Sequence, residues 1–555
     1  MIAGPREFCF LVEPMTKSAA ALLALLAALA PAASAEQLTK DEVEQIVAQA
    51  ATEASRVNRR AVISVVDREG FVLAVWDVRG GAFKPADGVV AAAVSRAGTA
   101  AFLSSDENAF TSRTAGYILQ QHFPVGVRNT PNGPLVGVGF SNLFYSDVNR
   151  FKAIPPGFDP LSLAPTKGTP GDPNTKLISA GVRGLSVPLT SLNDSPGGVP
   201  LYKGGHLVGA VGVTGDGSPT DLSAAAAILA GFTQRTVTTG FKDGRDTDED
   251  VALAGQTDFR PRDEILASNV LIAGIRIPYV HPRPEDIEDV HDVPPLGTIG
   301  KAVAGFEPKA SPEPFPYPVA RLGGIEGEIR QPVRGDPLPG KINGKAGRLT
   351  AIEVKEVLSL AAERCAKTRA GIRLPIGTIA KTFITVVNNP HKNGVAPVVL
   401  GTFRVGEATM FSWDVAVQKA RTAVFFSNTQ LAQSTRTVGF LAQRYFPPGL
   451  DGRPYGPYFG FQEAVTLKSA PRTGTFPGNP NLPNGITIFP GGFPLYRDGV
   501  LVGAIGISGD GVDQDDIVGA SGCADFLPQP RIRADSYSYR GVRLPYVKFP
   551  RDPEQ

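Results

Sequence analysis

GGVPLYKGGHLVGAVGVTGDG, residues 197–217, returns at 491–511 as GGFPLYRDGVLVGAIGISGDG, position for position. The chain therefore reads as a tandem repeat. Within each copy, Leu207 to Val213 and Leu501 to Ile507 are β-branched runs with interleaved glycines, entered through Gly204-Gly205 or Asp498-Gly499. This pattern predicts a hairpin whose second strand is buried and closely approached by other backbone.

Other blocks match at different offsets. Leu38 to Val43 pairs with Leu349 to Val354 at 311, Ala93 to Pro124 with Ala416 to Pro447 at 323, the hairpins at 294, and GIRIPYV (274–280) with GVRLPYV (541–547) at 267. The drift places insertions between shared elements, and insertions at about 125–196 and 233–273 are expected to be loops.

Thr39 with Glu42 forms a capping box for a helix over 38–57, where Val43, Ile46, Val47, Ala50, Ala51 and Ala54 keep helical spacing. A hairpin follows over Ala61 to Trp76, turning at Asp67-Arg68-Glu69-Gly70; its counterparts are Phe383 to Val387 and Val398 to Phe403, joined by the longer loop Asn388 to Ala396. Alanine-rich helices are predicted at Gly88 to Ser104 and Trp413 to Ser427, and short ones at Ser112 to His122 and Thr435 to Tyr445. After the central hairpin, Asp221 to Gly231 reads as a closing helix with Asp515 to Ala524 as its shorter counterpart. Each copy is thus an antiparallel sheet with helices against it, an α+β unit. His281 to Arg348 is dense in proline and glycine and reads as an ordered-by-contact or extended linker.

Composition narrows the function. Fifty-five basic and 53 acidic residues leave a net charge of +2, without the basic stripe of a nucleic-acid binder. From Met15, a lysine, an apolar run from Ala19 to Ala30 and Ala33-Ser34-Ala35 read as a secretory leader with cleavage expected after Ala35, placing the mature protein in the periplasm or outside the cell; an uncleaved anchor is the alternative, set against a run short for a membrane span. No later segment is long and apolar enough to span a membrane. Beyond Cys9, only Cys365 and Cys523 remain. Cys365 lies on the apolar side of its helix and reads as a core residue; a single bridge between the two is the alternative.

The hairpin GG-x-P-L-x-x-x-G-x-L-V-G-A-x-G-x-x-G, the S-V-V-D-x-x-G of 64–70, and the helix carrying Ala93, Ala97, Thr99, Ala100 and Phe102 resemble the GlcG/HbpS-like heme-binding family. The resemblance implies two tandem profilin-like α/β/α domains, about 36–280 and 349–555, packed as an intramolecular pseudo-dimer in place of the family's homodimer. It also implies binding of heme or a similar small planar ligand, and possible further oligomerisation. The family's R-x-D-G-A becomes Asp77 to Ala82, containing Arg79, in one copy and Arg404 to Ala408 in the other. Its K-A-x-T-A helix keeps lysine only as Lys419, with Arg96 in the first copy.

Heme iron takes His, Met, Cys or Tyr as an axial ligand. His122 faces Arg444, His206 faces Val500 and His281 faces Lys548, so none recurs. His206, at the hairpin turn, is the single best ligand candidate, set against a solvated turn histidine. Tyr202 with Tyr496 and Arg113 with Arg436 do recur. The arginines could clamp a carboxylate or anchor their own helices. Ligand-binding candidates are therefore His206, Tyr202, Tyr496, Arg79, Arg404, Arg96, Lys419, Arg113 and Arg436. Gly335 to Lys341 mimics a phosphate loop but has Ile342 where Ser or Thr is required. Acidic runs Asp243 to Asp250 and Asp510 to Asp516 lack EF-hand spacing and read as solvated loops. No metal ligand set and no nucleophile or acid-base constellation stands out, so a non-catalytic binding protein is expected. The alternatives are a scaffold that has lost heme binding and a heme-degrading enzyme.

Overall fold

In the computed structural model, residues 37–80, 87–119, 123, 133–135, 138, 192–193, 195–215, 246–281, 289–311, 317–371, 377–392, 395–450, 452–461 and 485–548 are described. The leader, with its cleavage site, and Asp221 to Gly231 lie outside them.

The expected capping box at Thr39 forms, and Thr350 makes an equivalent one in the second half. Thr39 and Thr350 accept from the N–H of Glu42 and Glu353, and each glutamate accepts from the threonine N–H in return. Two donors with no partner inside the helix are satisfied at each start. In the first half, α1 (Lys40–Val57) leads to β1 (Val62–Asp67), β2 (Val72–Asp77), α2 (Asp87–Leu103) and α3 (Ser112–Ile118). The hairpin β3 (Gly198–Lys203) and β4 (His206–Thr214), α4 (Thr247–Gly255) and the small hairpin β5 (Leu271–Ile272) and β6 (Ile275–Arg276) follow.

Three strands lie between the halves: β7 (Lys301–Ala302), β8 (Val319–Leu322) and β9 (Ile325–Gln331). The second half comprises α5 (Ala351–Cys365), β10 (Phe383–Asn388), β11 (Val399–Val405), α6 (Phe411–Phe425), α7 (Thr435–Leu441), β12 (Gly492–Arg497), β13 (Val500–Ser508), α8 (Val512–Gly522), β14 (Ser538–Tyr539) and β15 (Val542–Arg543).

The larger sheets run β3-β4-β1-β2-β7 and β12-β13-β10-β11-β9-β8, every pairing antiparallel. The four-strand core has the same order in both halves. Its glycines are placed by the helix that lies on it. A Cβ at Gly212 would stand 2.3 Å from the Ala93 carbonyl oxygen, and one at Gly506 2.0 Å from that of Ala416. Only glycine lets α2 and α6 approach the strand backbone this closely.

Two expectations are corrected. The counterpart of α8 is α4, not Asp221 to Gly231: Asp248 and Glu249 make the contacts that Asp515 and Asp516 make in the second half. The 267 offset therefore covers α4 and the β5–β6 hairpin as well as the closing motif, so much of the stretch assigned to an insertion is shared structure. Nor are the described parts of the acidic runs solvated, since Asp246, Asp248, Glu249, Asp250, Asp510, Asp515 and Asp516 are buried and, of their acidic residues, only Asp513 is partly exposed.

The connecting segment supplies edge strands to both sheets. Lys301 and Ala302 pair with Asp77 and Trp76, and β9 pairs with β11. Cys365 and Cys523 are buried and unbridged. Burial pushes the Cys365 thiol up to about 12.

The halves touch through an alternating series of charges. Arg68 and Glu69 of the β1–β2 turn pair with Glu407 and Arg330, Glu328 joins Arg330 to Arg404, and Arg404 also faces Glu407. Beside this series, Glu107 pairs with Lys381.

Candidate functional site

The recurring basic residues point inward. Arg96, on α2, pairs with Asp248 at 2.6 Å and donates to the Val213 carbonyl; Lys419, on α6, pairs with Asp515 at 2.7 Å and donates to the Ile507 carbonyl at 2.6 Å. Arginine and lysine thus do one job in two places, pinning a closing helix to the central strand. Arg113 grips both oxygens of Glu249, and Arg436 reaches Asp516 and Asp513. Burial disfavours the Arg113 charge, but Glu249, Asp246 and Asp250 around it outweigh that and hold its pKa above the ordinary value. Asp516 shows the reverse balance, its pKa lifted chiefly by burial although Arg436 opposes the shift.

The tyrosines are structural in geometry. Tyr202 donates to the Ser105 and Asn108 carbonyls, and Tyr496 to the Asn428 carbonyl, tying the end of the large helix to the hairpin. Arg79 pairs with Asp77 two residues away, while Arg404 donates to the Ala408 carbonyl within the charge series. His206 is exposed and its Nδ1 lies 2.8 Å from Asp106. Arg96 with Arg113, and Lys419 with Arg436, gather at the closing helices α4 and α8, and the nine candidates do not line one common cavity.

A cleft that sequence reasoning missed lies at one end of the second half. It encloses about 520 Å³ between Asn389 to Lys392 and Val395 of the loop after β10, the end of α6, the start of β13 and Ile342-Asn343 of the connecting segment. That volume falls within the range of small-molecule sites, roughly 300–1,000 Å³. Phe425, 46% exposed, and Val395, 36% exposed, join Val500 and Leu501 as apolar lining. His391 and Lys392 stand at the loop, both exposed, and among the described residues neither side chain has a partner. The backbone holds the loop out: His391 sits at φ 49°, and its N–H donates to Asn389 Oδ1. Asn389 in turn donates from its amide to the Leu501 carbonyl. One signal was available in the sequence, the extra length of this loop relative to the four-residue turn at Asp67–Gly70.

A smaller recess, about 40 Å³, opens where Ile118 and Leu135 meet Phe411 and Val415. Lys419 and Asp515 line it, already paired to each other. Among the described residues no group of His, Cys, Asp and Glu is placed to hold a metal, and no helix is long and apolar enough to cross a membrane.

Residues 392–524 match the family described as haem degrading protein HbpS-like. No curated protein matches the chain by sequence. Among solved structures, the PduOC:heme complex is 22% identical over 32% of this chain and 94% of its own, with a TM-score of 0.22. Klebsiella pneumoniae protein ORFY is 19% identical over 34% and 94%, also at 0.22. A double mutant of Streptomyces reticuli HbpS is 22% identical over 34% and 96%, at 0.20.

Proposed function

We propose, from the match of residues 392–524 to the HbpS-like family, that the chain is a secreted binding protein for heme or a similar flat, carboxylate-bearing ligand, held in the cleft beside His391. The observation that carries the reading is an imidazole without a partner among the described residues, at the mouth of a cleft lined by exposed Phe425 and Val395. The residues fit such a group: histidine nitrogen is an axial ligand for heme iron, Lys392 is a point charge for a carboxylate, and exposed Phe425 and Val395 offer apolar surface to a macrocycle face, beside a polar side made by Asn343, Asn389, Asn428 and Thr429. Sequestration, sensing and trafficking all begin with this binding step. Hemin titrated into the mature protein should give a saturable Soret shift that His391→Ala weakens; a titration without saturation sinks the proposal.

The inward pairing of Arg96, Lys419, Arg113 and Arg436 favours a second reading, a scaffold without ligand, which the same titration separates from the first. A third, heme degradation, predicts loss of the Soret band when a reductant is added to the hemin complex. The shared strand order supports two profilin-like domains forming an intramolecular pseudo-dimer. Secretion rests on the Met15 to Ala35 segment; N-terminal sequencing of mature protein should begin at Glu36, and a cytoplasmic product retaining the leader refutes it.

A further inference from the structure

Resting on the binding reading above, we infer that the two halves put one equivalent face to different uses: the first half docks with it, the second half binds ligand with it, so one chain takes one ligand. The sequence offsets superpose the faces. His206 corresponds to Val500, and Phe102, Asp106 and Glu107 correspond to Phe425, Thr429 and Gln430. Val500, Phe425 and Thr429 line the cleft.

Each feature of the cleft is altered in the first half. The long loop is replaced by a tight turn in which Asp67 Oδ1 accepts from the N–H groups of Glu69 and Phe71 at 3.0 and 2.8 Å. Phe102 is 3% exposed where Phe425 is 46% exposed. His206 is held by Asp106, the residue standing in the place of Thr429. The rim is engaged: Arg68, Glu69 and Glu107 pair with Glu407, Arg330 and Lys381 across the contact between the halves. A ligand entering there would have to displace three ion pairs, whereas the second half's cleft has Lys392 and His391 free among the described residues.

The ligand class is the one named above, and hemin is the probe. Calorimetric and Soret titrations of the full mature chain should both give close to one equivalent, with affinity reduced at least about tenfold by His391→Ala, the lower end of what loss of a group merely supporting a metal ligand costs. Phe425→Asp, on an exposed side chain and therefore compatible with folding, should weaken binding as well, and His206→Ala should leave it unchanged. Two equivalents, or a loss of affinity in His206→Ala matched by none in His391→Ala, overturns the division between the halves while leaving binding itself intact. No saturable binding in the unsubstituted protein overturns both.

Discussion

Glu69, at the tip of the β1–β2 turn, accepts two hydrogen bonds from Arg330 of β9, at 2.9 and 3.1 Å, across 261 residues of sequence. The Arg330 side chain is 1% exposed and its guanidinium carbon lies 3.9 Å from the Tyr317 ring centroid. A cation so deeply placed depends on its partners. Glu69→Ala should cost about 3 kcal/mol, the scale of removing one member of a buried pair, and Glu69→Gln less, read as shifts in the denaturant midpoint. An unchanged midpoint in Glu69→Ala would show that the contact contributes nothing to holding the halves together.

The same charges make the contact acid-sensitive. Burial opposes ionisation of Glu69, Glu328 and Glu407, but the adjoining guanidiniums overcome it, holding all three carboxyls low and Glu328 at about 2. A depressed carboxylate contributes stability that is complete above its unfolded value, near 4.5, and is lost as pH falls through the folded value. Asp246 and Asp516, raised mainly by burial, act in the opposite sense. The unfolding temperature should therefore fall between about pH 4.5 and 2, less steeply in Glu328→Gln. Equal slopes in the two proteins would remove Glu328 from the account.

Arg96 and Lys419 predict an asymmetry between charge and shape. Lys419→Arg and Arg96→Lys keep a cation against Asp515 or Asp248, and each should cost about 1 kcal/mol of repacking. Arg96→Met leaves Asp248 buried beside one fewer cation and should cost about 3–5 kcal/mol. Chemical denaturation of the three variants ranks them, and a methionine variant as stable as the lysine one would contradict the ion-pair reading.

The paired glycines offer a steric test. A Cβ at Gly198 would stand 2.2 Å from the Arg96 carbonyl oxygen, and one at Gly492 2.4 Å from that of Lys419. Gly198→Ala and Gly492→Ala should each cost about 3 kcal/mol, at the upper end of overpacking effects. Gly98, on α2, has open space where its Cβ would stand, and Gly98→Ala should gain about 0.5–1 kcal/mol through helix propensity. Thermal unfolding that moves all three in one direction would refute the assignment.

Elements whose pattern is set by apolar burial were legible in the sequence. The capped helices, the hairpins and the alanine-rich helices lie close to the expected ranges because their spacing records which face is covered. The closing helix α4 escaped because it is buried through charge: Asp248, Glu249 and Asp250 look like a solvated run until Arg96, Arg113 and His281 are brought to them by the fold. The strands of the connecting segment were missed for another reason. Val319–Leu322 and Ile325–Gln331 alternate weakly and are half exposed, so their identity comes from the sheet edge they complete. The cleft is legible only as a loop-length difference, since the exposure of Phe425 depends on what the neighbouring loop fails to cover.

The strands borrowed from between the halves also bear on what happens when the chain is cut. A fragment beginning at residue 349 would present β11, buried along its whole length in the intact protein, as a naked row of amide and carbonyl groups in place of its ladder with β9. Such a row is a template for any extended peptide, including a second fragment. Severed halves would consequently tend to recruit a foreign strand, and a peptide spanning 317–334 supplied in trans is the one shaped to quench that appetite.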